Sequence, residues 1–270
     1  QALSFFQSLY QDSSGQFPSR WSPAARQALL VAARLRLRYM AAPYQQVESL
    51  VQAGRQGLPA AEDRFQSEAN AILMVALAGQ GKLVEADQLL GQIGEQDPQR
   101  LFEIMRALAE MAEKSSRGGG RLAALQLSLF QRSSGQKQQL SPSQRMRWDL
   151  AHARALAAAG KQPRAAEMLK QLATAHPQSA SVQKAFAEVL MEGEDAAAWQ
   201  QAQAQWRRIL AKAKPQGLLW YEAKYAIALG YFKLGEKAEA AARIEYLQAT
   251  SGLEKTPLRA QFLALLARCR

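Results

Sequence analysis

Residues 146–177 read MRWDLAHARALAAAGKQPRAAEMLKQLATAHP, and the reading of this stretch decides the fold. Trp148, Ala151, His152, Ala155 and Ala159 recur at helical spacing, so they share one face of a first helix. Ser141-Pro142 just upstream is a start signal, a hydroxyl able to cap free N–H groups followed by a proline with no N–H to satisfy. Gly160 ends this helix, because glycine takes the left-handed conformation at little cost. Pro163 opens a second helix with a buried stripe of Ala165, Leu169 and Leu172, closed by His176-Pro177. Ala153 and Ala165 are small enough for close helix crossings. One such hairpin cannot bury enough apolar area to fold alone, whereas stacked hairpins cover each other's open faces.

The motif recurs along the chain. Ala2, Val47, Ala86, Ala123, Ala165, Ala202 and Ala240 head equivalent stripes, at intervals of 37 to 45 residues. Tetratricopeptide units are about 34 residues long and HEAT-type units about 40–47, so the period alone does not choose between them. The spacing inside the best units does. Ala153, Leu156, Gly160, Ala165, Leu169, Leu172 and Pro177 stand in the register of a tetratricopeptide repeat, which the chain resembles. Met74, Leu77, Gly81, Ala86, Leu90, Ile93 and Pro98 match it again, as do Ala228, Tyr231, Gly235, Ala240, Ile244 and Leu247. This sequence departs from the family's pattern at His152 and Ala153, where the family often has Leu and Gly, and at Gly252, which replaces the proline. The resemblance implies an all-α, right-handed α-α superhelix of about six helix-turn-helix repeats that binds other proteins, with no enzymatic activity.

The expected organisation is a second half-repeat and loop over 1–19, repeats over 20–140 and 141–252, and a terminal helix over 253–270. Residues 2–12 read as the second helix of a repeat whose first helix is missing, so the chain reads as a piece of a longer array. Ser115–Gly120 is expected to be a long mobile link, and Ser133–Leu140 a Gln/Ser/Gly linker. Thr256-Pro257 is expected to start the last helix, a cap or the first half of a further repeat.

Composition is ordinary for a soluble chain, with 48% hydrophobic and 21% charged residues, and a formal charge of +11. A single cysteine, Cys269, excludes an internal disulfide framework. No targeting segment is visible, and the longest apolar run, Ala71–Ala78, is far too short to span a bilayer. His152 and His176 have no partners at metal-ligand spacing. Cys269 has no nearby histidine, and the glycines at 118–120 lack the Lys-Ser/Thr of a phosphate loop. No catalytic residue, metal or cofactor is expected.

Two surfaces are candidates for binding. Tetratricopeptide proteins line their concave groove with the first helix of each repeat. Matched residue by residue, the resemblance places Arg147, Leu150, Arg154, Lys184, Glu188, Tyr225, Leu229 and Lys233 there, a mixture suited to an extended peptide with acidic and apolar groups. Asn70 is the only asparagine, so the family's paired-asparagine carboxylate clamp is not matched. The other candidate is a basic patch of Arg26, Arg34, Arg36 and Arg38, in a stretch without acids between Asp12 and Glu48. Further acid-free basic runs lie between Glu113 and Asp149 and at Arg207, Arg208, Lys212 and Lys214. These fit an acidic protein or a polyanion. The aromatics mostly occupy core slots, which disfavours single-stranded nucleic acid. The three readings are therefore a protein-interaction scaffold, a polyanion-binding module, and a regulatory array attached to an enzyme elsewhere. Compartment and oligomeric state are left open.

Overall fold

The computed structural model describes residues 2–12, 14–40, 43–56, 63–92, 104–105, 108, 119–251 and 253–270. The described residues form helices and no strand. The chain separates into two compact units, Gln1–Gly160 and Lys161–Arg270.

The first unit contains α1 (Ala2–Gln7), α2 (Pro23–Tyr39), α3 (Tyr44–Arg55), α4 (Asp63–Gly79), α5 (Leu83–Gln92), α6 (Gly119–Arg132) and α7 (Pro142–Ala158). The second contains α8 (Gln162–Ala175), α9 (Ala180–Glu192), α10 (Ala196–Lys212), α11 (Leu218–Lys233), α12 (Lys237–Ser251) and α13 (Arg259–Cys269). Within each unit the substantial helix contacts join neighbours in this order, plus α2 with α4 and α11 with α13. This is the packing of stacked hairpins, in contrast to helices gathered about one centre.

Local chemistry sets the helix ends. Ser22 Oγ accepts from the Ala25 N–H at 3.1 Å, with Pro23 next in line. Ser141 and Gln144 form a reciprocal capping box at the start of α7, satisfying two donors that the helix leaves open. Asp195 caps α10 through the Ala198 N–H at 2.6 Å. Gly81, Gly160 and Gly235 have φ of 81°, 75° and 84°, the left-handed turns expected at those stops.

The stripe residues Val47, Ala86, Ala123, Ala165, Ala202 and Ala240 are each 0% exposed. Six positions in repeat register therefore share complete burial. Ala2, Leu90, Ile93, Pro98 and Gly252 bear expectations whose side chains or backbones lie outside the described residues, as does Ser115–Gly118. Leu108 is fully buried, with Ile104 and Met105 beside it.

Three expectations are corrected. Ser133–Leu140 is a 3-10 turn over Ser134–Gln139 in place of a linker. It buries Ser133, Gln136 and Leu140, residues spaced to face one side, and Lys137 pairs with Asp149 at 2.5 Å. Gly119 and Gly120 open α6 and are not part of a link. The last helix begins at Arg259, after a 3-10 turn at Leu253–Lys255, because Thr256 turns the chain first, its hydroxyl accepting from the Leu258 N–H at 3.3 Å.

The two helices of the quoted stretch form as expected. Gly160 between them is where the two units part.

Candidate functional site

In the second unit, α9, α11 and α13 are the first helices of successive hairpins, and their side chains meet directly. Lys184 on α9 bonds Glu222 on α11 at 2.7 Å and lies 3.7 Å from Glu188. Tyr225 on α11 packs edge-on against Phe262 of α13, ring centroids 5.3 Å apart. Leu229 packs on the cluster around Phe262, Ile244 and Leu247. Lys184, Glu188, Glu222, Tyr225 and Leu229 are all half-buried, with room to meet a partner and enough packing to be held in place. Burial pushes the Tyr225 phenol above its ordinary range, an effect Arg268 partly offsets.

Lys233 has a structural task. Its ammonium donates to the Met191 carbonyl at 2.6 Å and lies 5.1 Å from the centre of the Trp199 ring. It thereby caps the C-terminal end of α9, where carbonyls lack intrahelical partners. Arg147, Leu150 and Arg154 belong to α7 in the first unit. Arg147 is exposed and Arg154 half-buried, while Leu150 is buried and serves packing.

The basic patch is different from its sequence expectation. Arg26 is 4% exposed and donates to the Gly54 and Gln56 carbonyls at 3.3 and 3.4 Å, closing the end of α3. Its charge is therefore inside the unit, not on a patch. Arg34 pairs with the nearly buried Glu68 at 3.1 Å. Arg36 donates to the Tyr10 hydroxyl at 3.1 Å, beside a cleft of about 410 Å³ walled by Phe17, Gln46 and Leu50. The Arg38 side chain lies outside the described residues. Acids distant in sequence also meet Arg132, which pairs with Asp87 at 2.9 Å.

A second cluster was not legible from the sequence. Tyr231 fills a stripe position, yet its hydroxyl accepts from Arg207 at 2.9 Å and Arg243 at 3.2 Å. The two guanidinium carbons lie 5.7 and 4.6 Å from the ring centre. The only sequence signal was the run of Arg207 with Arg208.

His152 is half-buried and stacks on Phe130, centroids 4.6 Å apart. His176 ends α8, and Cys269 packs against the α13 cluster. Among the described residues no three His, Cys, Asp or Glu side chains are grouped to hold a metal. No helix among them is long and apolar enough to cross a membrane.

No protein-family model matches the sequence, and no curated protein is similar to it. Solved structures do resemble it. A tetratricopeptide repeat protein from Parabacteroides merdae superposes with a TM-score of 0.56 at 11% identity, covering 98% of this chain and 92% of that one. A Podosopora anserina structure of nearly identical TPR-like repeats covers 87% of this chain and 99% of its own at 17% identity, but its TM-score of 0.43 bears no weight. The first match and the stacked hairpins make the fold a TPR-like helical-repeat array.

Proposed function

We propose that this TPR-like array is a non-catalytic protein-interaction scaffold. In this reading the second unit receives an extended partner segment across α9, α11 and α13. The observation that carries it is the line Glu188–Lys184–Glu222 with Tyr225 and Leu229, a half-exposed, mixed polar and apolar strip on α9 and α11 that Tyr225 anchors on the buried Phe262 of α13. Such a strip suits a peptide that brings apolar groups together with polar or charged ones. Lys224, 5.1 Å from the Trp220 ring centre and without a carboxylate partner among the described residues, adds positive charge to α11.

The test is selection of peptides from a random display library on the full chain, followed by fluorescence polarisation with purified variants. Tyr225→Ala and Leu229→Ala should each weaken the selected peptide by about tenfold, roughly 1.4 kcal/mol. Tyr246→Ala should leave affinity unchanged, since Tyr246 is on α12 and 66% exposed. Absence of any saturable peptide, or equal losses from all three variants, would refute the groove.

A further inference from the structure

The geometry points to an oxyanion-binding site at Arg207, Tyr231 and Arg243, independent of the peptide groove, whose ligand is a tetrahedral phosphate group. The three side chains come from α10, α11 and α12, so the site exists only when two successive hairpins are stacked.

The chemistry of the phenol oxygen comes first. It accepts one N–H from each guanidinium, which occupies both of its lone pairs. Its own O–H must therefore point away from the two arginines, and among the described residues nothing accepts that proton. Two cationic forks and one hydroxyl donor thus share a single centre. Each guanidinium carries five N–H groups and spends few of them here.

The arginines are also pre-positioned. Gln203 is 4% exposed. Its amide nitrogen donates to the Ile227 carbonyl at 3.1 Å, and its oxygen receives Arg207 Nη2 at 3.4 Å. A buried side chain therefore steers the Arg207 fork toward Tyr231. Glu239 holds Arg243, its carboxylate 2.6 Å from the same Nη2 that reaches Tyr231. Arg207 has no carboxylate partner among the described residues. Two like charges held against one oxygen, with one acid on Arg243, leave the cluster net positive, so an anion relieves repulsion already present.

The donor arrangement selects the class of anion. The two guanidinium groups flank the Tyr231 hydroxyl and keep further N–H groups, which a tetrahedral group with three or more acceptor oxygens can accept together. A carboxylate offers two oxygens in one plane. Arginine forks suit bidentate contact with phosphate oxygens. Glu239 competes for Arg243, so affinity for a lone phosphate should be modest.

The experiment uses the full chain and follows the arginine side-chain and Tyr231 ring resonances by NMR. The probes are inorganic phosphate, O-phosphoserine and acetate, all at matched ionic strength. Phosphate and phosphoserine should saturate the Arg207, Arg243 and Tyr231 signals, with acetate at least about tenfold weaker. Preference for phosphoserine over inorganic phosphate would identify a phosphorylated side chain as the source, and the reverse would identify the free ion.

Arg207→Gln and Arg243→Gln should each weaken phosphate by about tenfold, and Tyr231→Phe by severalfold. Arg208→Gln, on the exposed neighbour of Arg207, should have no effect beyond general charge. Arg207→Lys keeps the charge and stem, so it reports on the fork if Arg207→Gln perturbs folding. Equal response to acetate, equal losses at Arg208, or no saturation with either phosphate would overturn the assignment. A failure here leaves the Tyr225–Leu229 strip untouched, since none of these residues lies on it.

Discussion

Gly230 is the most informative position in the second unit. It lies on α11 where Gln203 of α10 crosses, and a Cβ there would come 2.4 Å from Gln203 Cγ, 2.8 Å from its amide nitrogen and 3.0 Å from its Cδ. Ordinary contact begins near 3.4 Å. In Gly230→Ala, either the helices separate by about 1 Å or Gln203 changes rotamer and abandons the Ile227 carbonyl. Overpacking of this kind costs about 1–3 kcal/mol, and stranding a buried amide costs about 1–3 kcal/mol. The gain in helix propensity from glycine to alanine returns about 1 kcal/mol. Either cost, less the propensity gain, leaves an expected loss of about 1 kcal/mol.

The assay is a double-mutant cycle with Gln203→Ala, read by urea unfolding together with hydrogen exchange of the α10 and α11 amides, because a repeat array need not unfold in one step. With Gln203 already truncated, Gly230→Ala should become neutral or stabilising, giving a coupling of about 1–2 kcal/mol. The same cost in both backgrounds would refute the close crossing. Gly230→Ala should also weaken phosphate at the Arg207–Tyr231–Arg243 cluster, since Gln203 orients Arg207.

Other outcomes follow from the packing. Ala240→Leu should destabilise by about 1–3 kcal/mol, because Ala240 is fully buried. Ala242→Leu on the exposed face of the same helix should stay within about 0.5 kcal/mol in thermal unfolding. Ser141→Ala removes the hydroxyl half of the α7 capping box and should cost about 1 kcal/mol by denaturant titration. Glu48 accepts hydrogen bonds from Lys82 and Gln80, which hold its carboxyl below the ordinary 4.5, while Glu48 raises Lys82 above the ordinary 10.5. The Glu48 contribution is complete above 4.5 and is lost as pH falls through its lowered value, and that of Lys82 is complete below 10.5 and is lost as pH rises through its raised value. The stability difference between the parent and Glu48→Gln should therefore be level between those limits and shrink on the acid side. A difference that persists undiminished in acid would show that the ion pair contributes nothing.

The repeat architecture was legible because its signals are local. A small residue in hairpin register, such as Ala86 or Ala165, and a glycine stop such as Gly81 or Gly235, require only a few neighbours to interpret. Charged residues were harder to read, because their partners come from other helices. Arg34 meets Glu68 thirty-four positions away, so an acid-free stretch of sequence does not make an acid-free surface. Arg26 was hidden for the same reason: the carbonyls it satisfies belong to the end of the next helix. Lys233 and Tyr231 each combine a packing role with a polar tip, and hydropathy alone registers only one of the two. The turn at Ser134–Gln139 has the composition of a linker, and only its spacing of Ser133, Gln136 and Leu140 hints at a buried side.

In the second unit the substantial helix contacts reach no further than two places along the chain. Damage should therefore spread by layers. Removing α13 uncovers Tyr221, Ile244 and Leu247, which share its cluster, while α10 keeps its flanking neighbours α9 and α11. A protease working from that end should leave a staircase of trimmed products, each shorter by a helix or a pair, with no abrupt collapse. Such a body can be lengthened or shortened by whole hairpins and still hold the remainder in shape.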